Sequence, residues 1–152
     1  MINLQIAAQF INLISDEVLL KTAQTVIDQY SEEQILEITI VIDEDQTIHQ
    51  LNRDYLGIDA PTDVLSFYAH EFDPDTGNIY LGDVIVSLPR AKAQAEKAGH
   101  PLEAEVLLLV IHGTLHLLGF DHDTLDNKSE MWFAQQSILD QIGIEIKQLP
   151  EA

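Results

Sequence analysis

The sequence predicts an α+β (mixed α/β) protein: a small mixed β-sheet of about four strands packed with about five helices, with a metal cleft at the helix that carries its histidines. Three observations carry this expectation. Runs of branched apolar residues are interspersed with runs of helical period, without the strict alternation of a purely parallel sheet. Glycine and proline fall between those runs, where they stop helices or open turns. One stretch, Val106 to Leu118, is nearly all apolar and reads as a buried helix.

In chain order, Ile2 to Phe10 reads as a short strand. Asp16 is placed to cap a helix reaching about Tyr30, with Val18, Leu19, Ala23, Val26 and Ile27 at helical spacing. Ile35 to Ile42 is the clearest strand, since branched residues dominate it. Asp43 or Asp45 opens a second helix through Ile48, Leu51, Asn52 and Tyr55, which stops at Gly57. A loop with Asp59 and Pro61 follows, then a strand over Thr62 to Phe67. Asp73 to Asn78 is a turn, and Ile79 to Ser87 the next strand. Pro89 suits the first turn of a third helix that ends near Gly99. Pro101 starts the histidine-bearing fourth helix, and Leu125 to Ile142 is a last amphipathic helix. No repeat, low-complexity tract or Gly/Ser linker interrupts this order, so residues 1–152 read as one domain.

Composition removes several function classes. There is no cysteine, which excludes disulfides and thiolate metal sites, so any metal must be held by His, Asp, Glu or backbone oxygen. The N-terminus lacks a basic region and is broken by Asn3, Gln5 and Gln9, unlike a signal peptide. The apolar run Val106 to Ile111 is too short to span a bilayer, so no membrane role is expected and the expected location is cytoplasmic. With a net charge of −19 and only 7 Lys and Arg, generic coating of nucleic acid is excluded, and DNA is not an expected partner. An acidic protein can still act on RNA through a metal ion and a local positive patch, or through a partner that brings the substrate.

The chemistry is concentrated in His112-Gly-Thr-Leu-His116-Leu-Leu-Gly-Phe-Asp-His122. Residues four apart project from one helix face, so His112 and His116 can reach one ion at about 2.0–2.1 Å each. Gly119 can end the helix and let the chain turn back to present His122 to the same ion. Three protein ligands leave a position open, as in catalytic zinc sites. Burial in so apolar a helix keeps imidazole neutral and ready to bind. One zinc ion is expected, although three imidazoles also suit nickel or another divalent metal. Asp121 and Asp123 flank His122, and one of them is a candidate acceptor for a ligand's second ring nitrogen. The remaining histidines have no partner at ligand spacing: His49 reads as a helix-surface residue, His100 as a loop residue, and His70 as facing the cleft.

A zinc ion so held lowers the pKa of its water toward 7 and polarises a carbonyl or phosphoryl oxygen, which suits peptide, ester or phosphodiester hydrolysis. The usual zinc-protease pattern, His-Glu-x-x-His, needs its glutamate as general base where this chain has Gly113. That counts against peptidase chemistry of the usual kind. The general base stays unassigned, with Asp63 and Asp83 candidates by residue type.

These motifs resemble the YbeY family of bacterial endoribonucleases, or rRNA maturation factors. The likeness runs from about Ile35 to the last helix and rests on three segments. His112 to His122 matches the family's His-Gly-x-Leu-His-Leu-x-Gly-x-Asp-His signature, and Pro61 to Phe67 and Gly82 to Ser87 match two others. The resemblance implies a compact mixed sheet with helices on one side, and zinc on His112, His116 and His122. It also implies single-strand endoribonuclease activity in the 3′-end maturation of small-subunit ribosomal RNA and in ribosome quality control. Ribosomal RNA, ribosomal particles and assembly factors would be the partners. Thr62, Asp63 and Ser66 become candidates for the cleft wall. Where the family often carries an arginine in the Leu51-to-Gly57 segment, this chain has Leu56, and Arg53, one helical turn earlier, is the candidate substitute.

Three readings follow: a zinc-dependent endoribonuclease, a metallohydrolase for another substrate such as a peptide or small ester, and a non-catalytic ribosome-assembly factor with structural zinc.

Overall fold

The computed structural model describes residues 1–32 and 35–146. Four strands, β1 (Ile2–Ile6), β2 (Leu36–Asp43), β3 (Val64–Phe72) and β4 (Ile79–Ser87), form one sheet in the order β1-β2-β4-β3. The β1–β2 and β2–β4 pairs are parallel and β3–β4 is antiparallel. Five α-helices accompany it: α1 (Asp16–Tyr30), α2 (Asp45–Leu56), α3 (Leu88–Ala98), α4 (Leu102–Leu117) and α5 (Leu125–Ile142). This is the mixed α+β layer structure that the sequence predicts.

Helix α4 is the centre of the core because it is apolar all round. Val106, Leu107, Leu109, Val110 and Leu117 pack toward the sheet residues Ile38, Ile40, Val84 and Val86. Leu108, Ile111 and Leu115 pack in a second cluster with Met131, Ala134, Ile138 and Leu139 of α5. Each such side chain taken from water contributes roughly 1.5–3 kcal/mol.

Several details depart from the expected elements. Strand β1 ends at Ile6, where the Ala7 N–H makes its bond to the Ile42 carbonyl, and Ala8–Phe10 turns into a short 3-10 helix. The cap of α1 is Ser15, whose hydroxyl accepts the Val18 N–H, and Asp16 is the first helical residue. β3 begins after Thr62 and Asp63 and continues to Phe72, because the Asp73–Asn78 turn closes a hairpin whose two arms pair up to it. The helices do not all lie on one side: Ile48 of α2 packs with Leu65 and Ile85, the residues that alternate to the sheet face away from α4.

Gly82 fixes a local irregularity. It sits at φ +150°, and a Cβ there would stand 2.1 Å from the Phe67 carbonyl oxygen, so only glycine fits. The β2–β4 register shifts beside it.

Candidate metal centre

The end of α4 builds the site. Gly119, at φ +99°, adopts a conformation open to glycine, and the Phe120 N–H returns to the Leu115 carbonyl (3.0 Å). This turn reverses the chain and also orients a candidate ligand, since the Phe120 carbonyl accepts a hydrogen bond from His116 Nδ1 (2.9 Å). His112 is held in the same way from another helix: its Nδ1 donates to Gln135 Oε1 of α5 (2.6 Å). With both Nδ1 atoms engaged as donors, the two Nε2 lone pairs converge at 3.2 Å with no proton between them. His122 comes back over the pair, and one ligand nitrogen from each of the three rings lies within 4.8 Å of the others.

Charge state agrees with this geometry. Burial pushes the His112 imidazolium down to about 4. His116 is also lowered, by burial and then by the neighbouring His122. The rings of His112 and His116 are therefore neutral near pH 7, and three convergent imidazoles are a donor set that a divalent cation completes. The triad fits a metal ion. Trp132 walls it, edge-on, with its ring 5.9 Å from both His112 and His122.

The site opens on a cleft along β3. A cavity of about 450 Å³ is lined by His112 and His116 with Leu56, Thr62, Ser66 and Tyr68. A second, of about 690 Å³, shares His116 and Tyr68 and adds Tyr30, His70, Phe120 and Asp121.

The family model described as Endoribonuclease YbeY matches residues 4–143. The chain belongs to the YbeY family. A protein from Brevibacillus brevis named Endoribonuclease YbeY is 42% identical over 120 residues, covering 71% of this chain and 76% of its own. A Bacillus thuringiensis protein of the same name is 39% identical over 147 residues, covering 92% and 91%. The solution structure of a Thermotoga maritima protein superposes with a TM-score of 0.64 at 26% identity, over 93% of this chain and 89% of that one.

Within this YbeY-family site, the other residues singled out in the sequence fall into two groups. Thr62, Ser66 and His70 line the cleft, and the Ser66 hydroxyl donates to the Gly113 carbonyl (2.9 Å), tying β3 to α4. Asp63 is 4% exposed and opens β3: its carboxylate accepts the Val64 N–H (2.8 Å) and a bond from Gln94 (3.3 Å). It does not line the cavity beside His112. Asp83 accepts the Tyr80 hydroxyl and alternates with Ile85 onto the sheet face away from the histidines. Arg53 is outside the cleft lining, with its Nε 3.1 Å from Asp54, and Leu56 faces the cavity instead. His49 pairs with Asp59 on the surface. His100 lies in the loop before α4, as its sequence position predicts, with its side chain buried and bonded to Glu105, whose carboxyl pKa burial pushes up. Asp121 accepts the His122 backbone N–H, and Asp123 accepts from Asn127.

The anchors of the ligand rings are thus Gln135 and the Phe120 carbonyl, not the flanking acids. Gln135 had a legible signal. Met131, Ala134, Ile138 and Leu139 make the apolar stripe of α5, and Gln135 is the polar residue inside it. A fully buried amide in a stripe needs a buried partner. Replacing it by a similar-sized apolar residue tests its role. Gln135→Leu is expected to weaken Zn²⁺ binding about 10- to 100-fold. Competition against a chelating dye measures this, and an unchanged affinity would mean that the His112 ring is fixed without the amide.

Proposed function

We propose that the chain is a metal-dependent single-strand endoribonuclease of ribosomal RNA. On this reading His112, His116 and His122 hold one zinc ion, and the substrate includes the 3′ end of small-subunit RNA. Ribosomal particles and assembly factors are its partners, ribosome quality control is part of its role, the cytoplasm is its place, and residues 1–152 act as one domain. The observation that carries the reading is the convergence of three ring nitrogens, two of them from residues that line an open cleft, in a chain whose relatives are named endoribonucleases.

When bound, the metal supplies a Lewis acid for a phosphoryl oxygen and acidifies water. The chain's own residues orient the rest. The Phe120 carbonyl and Gln135 aim the imidazoles, Trp132 restricts water on one side, and Ser66 holds the β3 wall at a fixed distance from α4. Among the described residues no carboxylate joins the three rings within ligand distance. The general base stays unassigned; Asp121 is the carboxylate that shares a cavity with His116.

A structural zinc site is closed by four protein ligands. Here His116 and His122 are half-buried and His116 lines two open cavities, which favours an accessible ion and an enzyme over an assembly factor. The experiment is cleavage of a single-stranded ribosomal RNA fragment by zinc-loaded protein, with a chelated control and zinc added back. Cleavage that is lost on chelation and restored by zinc is the expected result. Cleavage indifferent to chelation would remove the metal from the mechanism. Absence of cleavage, on the fragment and on ribosomal particles alike, would remove the nuclease.

A further inference from the structure

β3 is an edge strand, and its residues alternate between two faces. Val64 and Ser66 face Gly113 of α4, and Tyr68 is next in that row. Helix α4 ends at Leu117, so Tyr68 stands past its cover and is 64% exposed. The strand then bulges: Tyr68 pairs with Gly82 and Glu71 with Tyr80, leaving Ala69 and His70 opposite Leu81 alone. His70 takes a left-handed φ of +48° in this bulge, and its ring lies against Tyr68 with centroids 5.8 Å apart at 24°. Tyr68 also shares both cleft cavities with His116.

Charge makes this pair significant. Phosphate neutralisation by Lys and Arg is the usual source of RNA affinity. Among the described residues neither cavity is lined by a lysine or arginine, and Leu56 occupies part of the wall. A strand that reaches the triad needs another hold, and ring stacking on unpaired bases is the one the cleft offers. A duplex keeps its base faces inside, so such a hold discriminates against it.

We propose that Tyr68, backed by His70, is a stacking platform for one unpaired nucleobase beside the phosphodiester presented to the histidine triad. This rests on the endoribonuclease reading and names how that site selects single strands.

The test uses the zinc-loaded full chain and a fluorescent, 2′-O-methyl single-stranded oligonucleotide of ribosomal sequence read by anisotropy, with KM and kcat measured on the unmodified RNA. Tyr68→Leu keeps an apolar side chain but removes the ring. It is expected to weaken binding and raise KM about ten-fold, with Zn²⁺ affinity unchanged. Tyr68→Phe is expected to bind as the parent does. An oligonucleotide with an abasic nucleotide at the stacked position should bind the parent more weakly and be indifferent to Tyr68→Leu. Parent-like binding and KM in Tyr68→Leu, with the parent cleaving, would overturn the platform alone. Equal weakening by Tyr68→Phe would assign the contact to the hydroxyl and overturn stacking. A parent protein that neither binds nor cuts RNA would overturn the endoribonuclease reading itself.

Discussion

His116→Ala is expected to leave a folded protein that no longer cleaves RNA. The substitution deletes one of three nitrogens that converge on one point, and the ring is only half-buried at the last turn of α4. On the metal-dependent reading proposed above, the expected loss of charge stabilisation is about 4 kcal/mol, or about a thousand-fold in kcat/KM. The fold does not depend on that ring. The principal core is made by α1, α4 and the sheet through residues such as Leu19, Ile38, Ile40 and Val106, and burial already disfavours the charged form of His116. Zinc stoichiometry, kcat/KM and a thermal melt with and without chelator check the three parts together. A variant that still cleaves would exclude His116 as a ligand. A variant that unfolds together with chelated parent protein would instead establish a structural metal. His112→Ala is a poorer test, because it opens a cavity in the core and strands the buried Gln135 amide.

What could be read ahead from the residues was whatever local chemistry decides. Helix α4 is legible because a segment apolar on every side has nowhere to go but the centre. The α2 and α3 ends are legible in Gly57 and Gly99, both of which take up the left-handed caps. The triad is legible because helix geometry alone brings His112 and His116 to one face, and a glycine turn returns His122.

The parts that were not legible depend on contacts far apart in sequence. Gln135 meets His112 across 23 residues, and nothing near either of them announces the pair beyond the polar break in the α5 stripe. Asp63 is a carboxylate of the right type, but its place at the mouth of β3 is set by the Val64 N–H and by Gln94 of α3. Arg53 shares a helix with the cleft-facing Asn52 and Leu56, yet it lies off that face and bonds Asp54. The covering of the second sheet face by α2 follows from Ile48, Leu65 and Ile85 meeting, which no single segment encodes.

Gly113→Glu carries the second large effect, on stability. It installs the glutamate of the zinc-protease pattern directly after the first ligand, and on this fold that position is closed. A Cβ on Gly113 would lie 2.6 Å from Val84 Cγ1, 3.1 Å from Ser66 Oγ and 3.3 Å from Val64 Cγ2. Val84 is fully buried and has little freedom to give way. Overpacking of this kind costs about 1–3 kcal/mol, and a carboxylate forced between two valines adds a desolvation cost of several more. A loss of about 4 kcal/mol or more is expected, enough to unfold most small domains at ordinary temperature. Gly113→Ala separates the two terms. It meets the same Cβ contact and regains about 1 kcal/mol of helix propensity, so a net loss of no more than about 2 kcal/mol is expected by urea denaturation. A stable, folded Gly113→Glu protein would mean that α4 can lift off β3 and β4, and peptidase chemistry would then have room for its base. If the loss is as large as expected, the glycine is what allows α4 to lie close on the strands, with its carbonyl bonded to Ser66 and its two histidines facing the cleft beside β3. The same close approach that positions the candidate ligands His112 and His116 then excludes a protease-type base at position 113.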